Sequence, residues 1–229
     1  VEVRAAGRAF LDMRARIERH IEQRTMMLSG ISHDLRTPLT RLKLGLSMLD
    51  EADRAPLERD VEDMERLVDE FLNFARGEAG AGEPEPVDPL ALVREVVEDA
   101  GRGGAAVRLA ACEGAGEMAL RPLAVRRALE NLIANAVRYG TRAEVSARLG
   151  PATLRVTVED DGPGIPPGAR ADALKPFARL DPARNQDQGT GVGLGLAIAA
   201  DVARAHGGGL SLEGSARLGG LKAELTLAR

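Results

Sequence analysis

Tryptophan is absent from these 229 residues, and aromatic side chains of every kind make up only 2% of them. A packed interior must then rest on Leu, Val, Ala and Ile, which suits helices and a modest sheet; hydrophobic residues, at 44%, are plentiful enough. Cysteine is nearly missing too. The single Cys112 cannot form an internal disulfide, and no metal or nucleophile constellation surrounds it, so a small packed residue in a reducing compartment is its expected role. Nor is there a basic excess: 31 Lys and Arg face 35 Asp and Glu, a net charge of -4. That argues against a general binder of nucleic acid or anionic membrane. No apolar run reaches the eighteen or so residues a membrane-spanning helix needs. There is no signal peptide and no initiator Met before Val1, which leads us to expect a fragment cut from a longer protein.

What is present begins with helical periodicity. Phe10, Met13, Ile17, Ile21, Leu28, Ile31, Leu35, Leu39, Leu42, Leu46 and Leu49 recur at spacings of three, four and seven, close to a heptad pattern. A second run follows in Leu57, Val61, Met64, Val68, Phe71 and Ala75, with Glu51 to Pro56 expected as a short connection. Two such helices form an antiparallel hairpin, and two hairpins side by side close a four-helix core. A homodimer is therefore expected. Gly77 to Pro89, rich in Gly, Pro and Glu, is expected to be a linker.

The remainder mixes strands and helices. Val107 to Ala111 alternates weakly, Leu120 to Tyr139 is helical, and Glu144 to Leu149 with Thr153 to Glu159 suggests a hairpin of strands. Asp160 to Gly191 is loop-rich, Val192 to Ala205 is helical, and Leu210 to Leu212 and Leu221 to Leu227 are closing strands. Helices segregated from a mixed sheet indicate an α/β sandwich, so the whole chain is α+β.

Five stretches carry chemistry. In Ser32-His33-Asp34-Leu35-Arg36-Thr37-Pro38 an imidazole adjoins a carboxylate, with a hydroxyl one turn on. Such a carboxylate fixes the ring tautomer and can make the imidazole a nucleophile, although a histidine taken alone is more often a solvated surface residue. Pro38, inside the run, would loosen the turn. Further on, Asn131, Asn135 and Arg138 share a helical face and could coordinate Mg²⁺ through amide oxygen and hold phosphate through the guanidinium; a polar outer face is the alternative. Asp160-Asp161-Gly162-Pro163-Gly164 leaves a strand and turns sharply, offering a carboxylate to the exocyclic amine of a base, or making a plain turn. Gly191-Val192-Gly193-Leu194-Gly195-Leu196 opens a helix whose N–H groups could cradle phosphate, without the Walker pattern. Between these last two lies a long basic segment with Lys175, Arg179 and Arg184, which suggests a lid. His20, near a heptad core position, suggests packing or surface, and His206, before three glycines, suggests a cationic helix cap.

In this order the motifs resemble the sensor histidine kinases of two-component signalling, and His206-Gly207-Gly208 and Gly219-Gly220-Leu221 extend the resemblance to the end. The stretch 32–41 is most similar to the EnvZ-like osmosensing subgroup, and Gly7-Arg8-Ala9-Phe10 resembles the last helix of a HAMP signal-relay domain. The resemblance implies a HAMP-like helix over 1–22, a dimerisation and histidine phosphotransfer domain over 23–80, a linker over 81–88 and a catalytic ATP-binding α/β sandwich over 89–229. It implies His33 as phosphoryl acceptor, Asp34 as its activating carboxylate and Thr37 orienting water to dephosphorylate a partner. Asn135 would bind Mg²⁺ beside Asn131, Asp160 would read adenine and Tyr139 would stack near it. Arg138, Lys175 and Arg179 would face phosphates, while Gly162, Gly164, Gly191, Gly193, Gly195 and Leu196 would shape the pocket and lid hinge. ATP and Mg²⁺ are the implied cofactors, a response regulator of the OmpR-like kind the implied partner, and the cytoplasmic portion of an inner-membrane protein the implied location. Two departures stand out: Leu174-Lys175-Pro176-Phe177 keeps one of two usual phenylalanines, and Gly189-Thr190 precedes the usual glycines. An ATPase of the same nucleotide fold without histidine transfer, or a dimeric signalling scaffold, are the alternatives.

Overall fold

The computed structural model describes residues 34–76, 82–178 and 193–229, with Met13, Arg16, Met27 and Ile31 besides. The chain divides between Gly80 and Ala81 into two compact units. In the first, α1 (residues 34–46) runs on through Pro38, and a turn over 47–50 leads into α2 (Glu51–Arg76). The connection is thus shorter and earlier than the expected Glu51 to Pro56. Asp50 explains the difference: its carbonyl accepts the amides of Asp53 and Arg54 at 3.1 and 2.9 Å, starting the helix before the proline. Glu51 and Asp53 sit in the first turn, where the helix dipole favours acidic groups. Arg54 reaches back to Glu51 and forward to Glu58. Pro56 then costs one backbone bond inside a helix already nucleated. Lys43 of α1 reaches Glu62 and Glu65 of α2 at 3.7 and 3.5 Å, and Leu39, Val61 and Leu72 are buried.

The second unit contains β1 (Glu85–Val87), α3 (Pro89–Arg102), β2 (Val107–Glu113), β3 (Met118–Leu120) and α4 (Pro122–Tyr139). It continues through β4 (Ala143–Leu149), β5 (Thr153–Asp160), the one-turn α5 (Arg170–Ala173), α6 (Gly195–Ala205), β6 (Gly209–Gly214) and β7 (Leu221–Ala228). The main sheet has the order β2-β4-β5-β7-β6, parallel only between β2 and β4. One face, carrying Val145, Ala147, Leu154, Val156, Val158, Ala223, Leu225 and Leu227, packs under α3, α4 and α6. The other face alternates outward as strand periodicity requires and bears the charged residues. Burying each such leucine contributes about 1.5–3 kcal/mol.

Residues 85–87, expected within the linker, instead form β1, which pairs antiparallel with β3. Asp88 then caps α3, accepting the amides of Leu90 and Ala91 on Oδ1 with Pro89 as the first helical residue. The helix 89–102 was not anticipated, although that cap and Leu90, Val93, Val96 and Val97 mark it. Leu120 belongs to β3 and not to the helix after it, which starts on Pro122.

Candidate nucleotide site

Helix α4 is amphipathic in a particular way. Ala128, Leu129, Leu132, Ile133 and Ala136 sink into the core, while Asn131, Asn135 and Arg138 line a half-buried polar edge. Asn131 Nδ2 donates to the Arg127 carbonyl at 3.0 Å, which leaves its Oδ1 toward the start of α6: a Cβ on Gly195 would lie 3.4 Å from that oxygen. At the other end, α4 meets the end of β5, and a Cβ on Gly162 would lie 2.6 Å from the Tyr139 carbonyl. Residues 131 and 139 are about 12 Å apart along the helix axis. The polar edge therefore runs from the α6 N-terminus to the β5 turn, joining three of the segments that sequence singled out.

Arg138 has two buried guanidinium nitrogens, Nε and Nη2, without a hydrogen-bond partner among the described residues, and its guanidinium carbon sits 5.7 Å from the Tyr139 ring centre. A guanidinium so placed suits an anion, since donors buried unpaired are costly. Asp160 is 4% exposed. Its Oδ1 accepts the amides of Gly162 at 2.9 Å and Leu221 at 3.0 Å, and Oδ2 has no hydrogen bond from a described residue. Burial pushes its carboxyl above the ordinary range, and the two amides work against that rise. Asp161 has the opposite surroundings. Thr141 donates to it through Oγ1 at 2.6 Å and through its amide at 2.7 Å, and the Arg142 amide adds a third bond at 3.1 Å. These bonds hold its carboxyl down to about 2. It clamps the turn between α4 and β4.

Gly164 has φ +68° beside Gly220, and Gly193 has φ +74°. The Phe177 amide donates to the Gly193 carbonyl at 3.0 Å, so the two sides of the basic segment meet at this stem. Helix α6 begins at Gly195 and not at Val192, because Gly193 has left-handed backbone and Leu194 occupies the cap. Leu196 packs against the core. Lys175 is paired with Asp172 at 2.6 Å. His33, Arg179 and Gly191 lie outside the described residues, as do the HAMP-like residues 7–10; Asp34 and Thr37 are exposed on α1. Among the described residues no three His, Cys, Asp or Glu cluster as metal ligands. His206 caps α6, but as a neutral ring: Nδ1 lies 2.8 Å from the Val202 carbonyl and Nε2 accepts the Arg121 amide at 3.1 Å. A cation could not accept that bond, which corrects the expected cationic cap.

Sequence reading missed Leu221, whose amide holds Asp160, and Thr141 with Asp161. The first had a signal in Gly219-Gly220-Leu221, but nothing in the string tells which oxygen that amide meets.

Residues 121–229 match the histidine kinase-, DNA gyrase B- and HSP90-like ATPases, and residues 23–80 match the His Kinase A (phospho-acceptor) domain. The chain belongs to the sensor histidine kinase family. It is 38% identical over its whole length to the sensor histidine kinase GtrS of Pseudomonas aeruginosa, covering 47% of that protein. It is 38% identical over 94% of its length to the sensor protein RstB of Escherichia coli, covering 51%. The crystal structure of the ATP-binding domain of PrrB from Mycobacterium tuberculosis superposes with a TM-score of 0.52 at 31% identity, over 64% of this chain and 98% of that one. The chain spans about half the length of the curated relatives it matches. As the family dictates, a histidine kinase helical region precedes an α/β ATP-binding fold.

Proposed function

We propose that this chain autophosphorylates His33 with ATP and passes the phosphoryl group to an aspartate of a response regulator. The observation that carries the reading is the pair of buried Arg138 nitrogens, Nε and Nη2, with no hydrogen-bond partner among the described residues, at one end of a polar helix edge whose neighbour is the buried carboxylate of Asp160. Together they fit a ligand with an anionic chain and an amine-bearing base. Asp160 Oδ2 accepts the exocyclic amine, Tyr139 lies against the base, and Arg138 takes phosphate oxygens. The amides of Asn131 and Asn135 suit Mg²⁺, which would neutralise charge on the phosphates. The α6 N-terminus adds its dipole. Lys175 and Arg179, with the glycines 191, 193 and 195, then close the segment over the nucleotide.

The imidazole Nε2 of His33 attacks the γ-phosphorus; the N–P bond forms as the bond to the bridging oxygen breaks, and ADP leaves. Asp34 receives the ring proton and fixes the tautomer. Transfer to the regulator's carboxylate regenerates the imidazole. Thr37 orients water for the reverse, phosphatase activity. The regulator is of OmpR-like kind, and the parent protein is anchored in a membrane, with this part on the cytoplasmic side.

A dimer is supported by exposure along α1 and α2. Leu35 and Leu42 are seven residues apart on α1, as are Leu57 and Met64 on α2, and all four remain outside the hairpin's own buried seam, with Leu49 exposed in the turn beyond; Leu42 is 50% exposed. A second copy covers such a stripe as a four-helix bundle.

The test is incubation with γ-labelled ATP and Mg²⁺. Acid-labile, alkali-stable label that vanishes in His33→Gln, with ADP binding retained, is expected. Label retained in that variant would overturn the assignment.

A further inference from the structure

Glu159 and Asp160 are consecutive on β5 and point to opposite faces of the sheet, and one turn holds both. The turn 215–220 between β6 and β7 straddles the end of β5. On the outer face the Ser215 hydroxyl donates to Glu159 Oε1 at 2.8 Å, and Arg217 Nη2 donates to Glu159 Oε2 at 2.9 Å. The same guanidinium lies 2.6 Å from Glu144, which is 8% exposed and also bound by Arg108 at 2.8 Å. On the inner face the amides of Gly220 and Leu221 reach the Asp160 carbonyl at 3.1 Å and its Oδ1 at 3.0 Å. The turn itself is stiff: Ser215 donates its amide to the Gly220 carbonyl at 2.8 Å, and its Oγ accepts the Leu218 amide at 2.9 Å. There is no slack on the inner side, because a Cβ on Gly220 would stand 2.2 Å from Asp160 Oδ1.

We infer that Arg217 and Glu159, two positions outside the nucleotide pocket, are positioning residues that aim the Asp160 carboxylate and so set the preference for a 6-amino over a 6-oxo purine. The inference rests on the nucleotide reading of this site. Its chemistry is one of donor and acceptor. Held by two amides on Oδ1, Asp160 is an ionised acceptor whose Oδ2 takes an N–H from the base. With the turn loosened, the Leu221 amide withdraws and Oδ2 is no longer aimed at the base. The bond to the exocyclic amine of adenine weakens, while guanine, which presents a carbonyl acceptor at that position, had no such bond to lose.

The experiment measures ADP and GDP binding with Mg²⁺ by calorimetry for the full chain and for Arg217→Ala, Arg217→Lys and Glu159→Gln. Arg155→Ala is the control: it breaks the 3.0 Å pair with Glu224 on the same face, away from the turn. Expected is a fall in ADP affinity of about tenfold in Arg217→Ala, the scale of one lost hydrogen bond, with GDP affinity held. The ADP-to-GDP ratio should recover in part in Arg217→Lys, fall in Glu159→Gln, and stay at the parent value in Arg155→Ala. An unchanged ratio in Arg217→Ala and Glu159→Gln, or an equal loss for both nucleotides, overturns the positioning role while leaving the nucleotide reading intact. A parent chain that binds neither nucleotide overturns both.

Discussion

Asp160 and Asp161 are neighbours in the chain with opposite electrostatics. The folded state raises the carboxyl of Asp160 through burial, so its protonated form is the one folding favours. That contribution to stability is present at low pH and lost as pH rises through the raised value. Asp161, held at about 2 against an ordinary 3.8, contributes stability above 3.8 that is lost as pH falls toward 2. At neutral pH, then, Asp160 is kept at a cost to the fold. Asp160→Asn retains an Oδ1 for both amides and sheds the charge. We expect its Tm near pH 7 to equal or exceed that of the parent while ADP affinity drops by at least about tenfold. Thermal denaturation beside calorimetry checks this; a variant markedly less stable at neutral pH would contradict it. Asp160 stood out in the sequence because a carboxylate leaves a strand into Gly162-Pro163-Gly164. Asp161 did not, since its partners Thr141 and Arg142 come from a turn about twenty residues away.

Among the elements, the alternating strands 143–149 and 153–160 were the most legible, because one face of each must be apolar. Boundaries were not. Pro56 suggested a break that Asp50 had already made unnecessary, and helix 89–102 hid behind a linker-like composition. The start of α6 was misjudged for a reason with a testable side. Gly193 combines a left-handed backbone with a site where a Cβ would lie 2.6 Å from the Ala178 carbonyl, whereas Gly195 is helical and meets only Asn131 at 3.4 Å. Gly193→Ala should cost about 1–3 kcal/mol from backbone conformation and overpacking. Gly195→Ala should be within about 0.5 kcal/mol of the parent, helix propensity offsetting the contact. Urea denaturation of the two variants distinguishes them, and equal losses would mean the stem is not where the constraint lies.

For the whole molecule, the heptad repeat predicts a bundle of two copies, and the hairpin's exposed leucines mark the stripe a second copy would cover. Leu42→Glu places a charge in that stripe. Sedimentation equilibrium should find this variant monomeric at concentrations where the parent is dimeric. Met48→Glu, in the turn and 88% exposed, should leave the dimer unchanged. Dissociation by both would trace the effect to added charge. What composition could not reveal is how the two ends of the pocket are joined. That depends on a helix packed between α6 and β5, a tertiary fact with no local signature.

The scarcity of aromatics has an optical consequence. Tyr139 is the only tyrosine, there is no tryptophan, and its ring lies at the C-terminal end of α4 with the Arg138 guanidinium over it and 41% of the residue open to solvent. Excited near 280 nm, the chain has essentially one emitter. Its natural fluorescence is therefore a reporter fixed at a single address, where α4 meets the turn after β5, with no second signal to subtract and no label to attach.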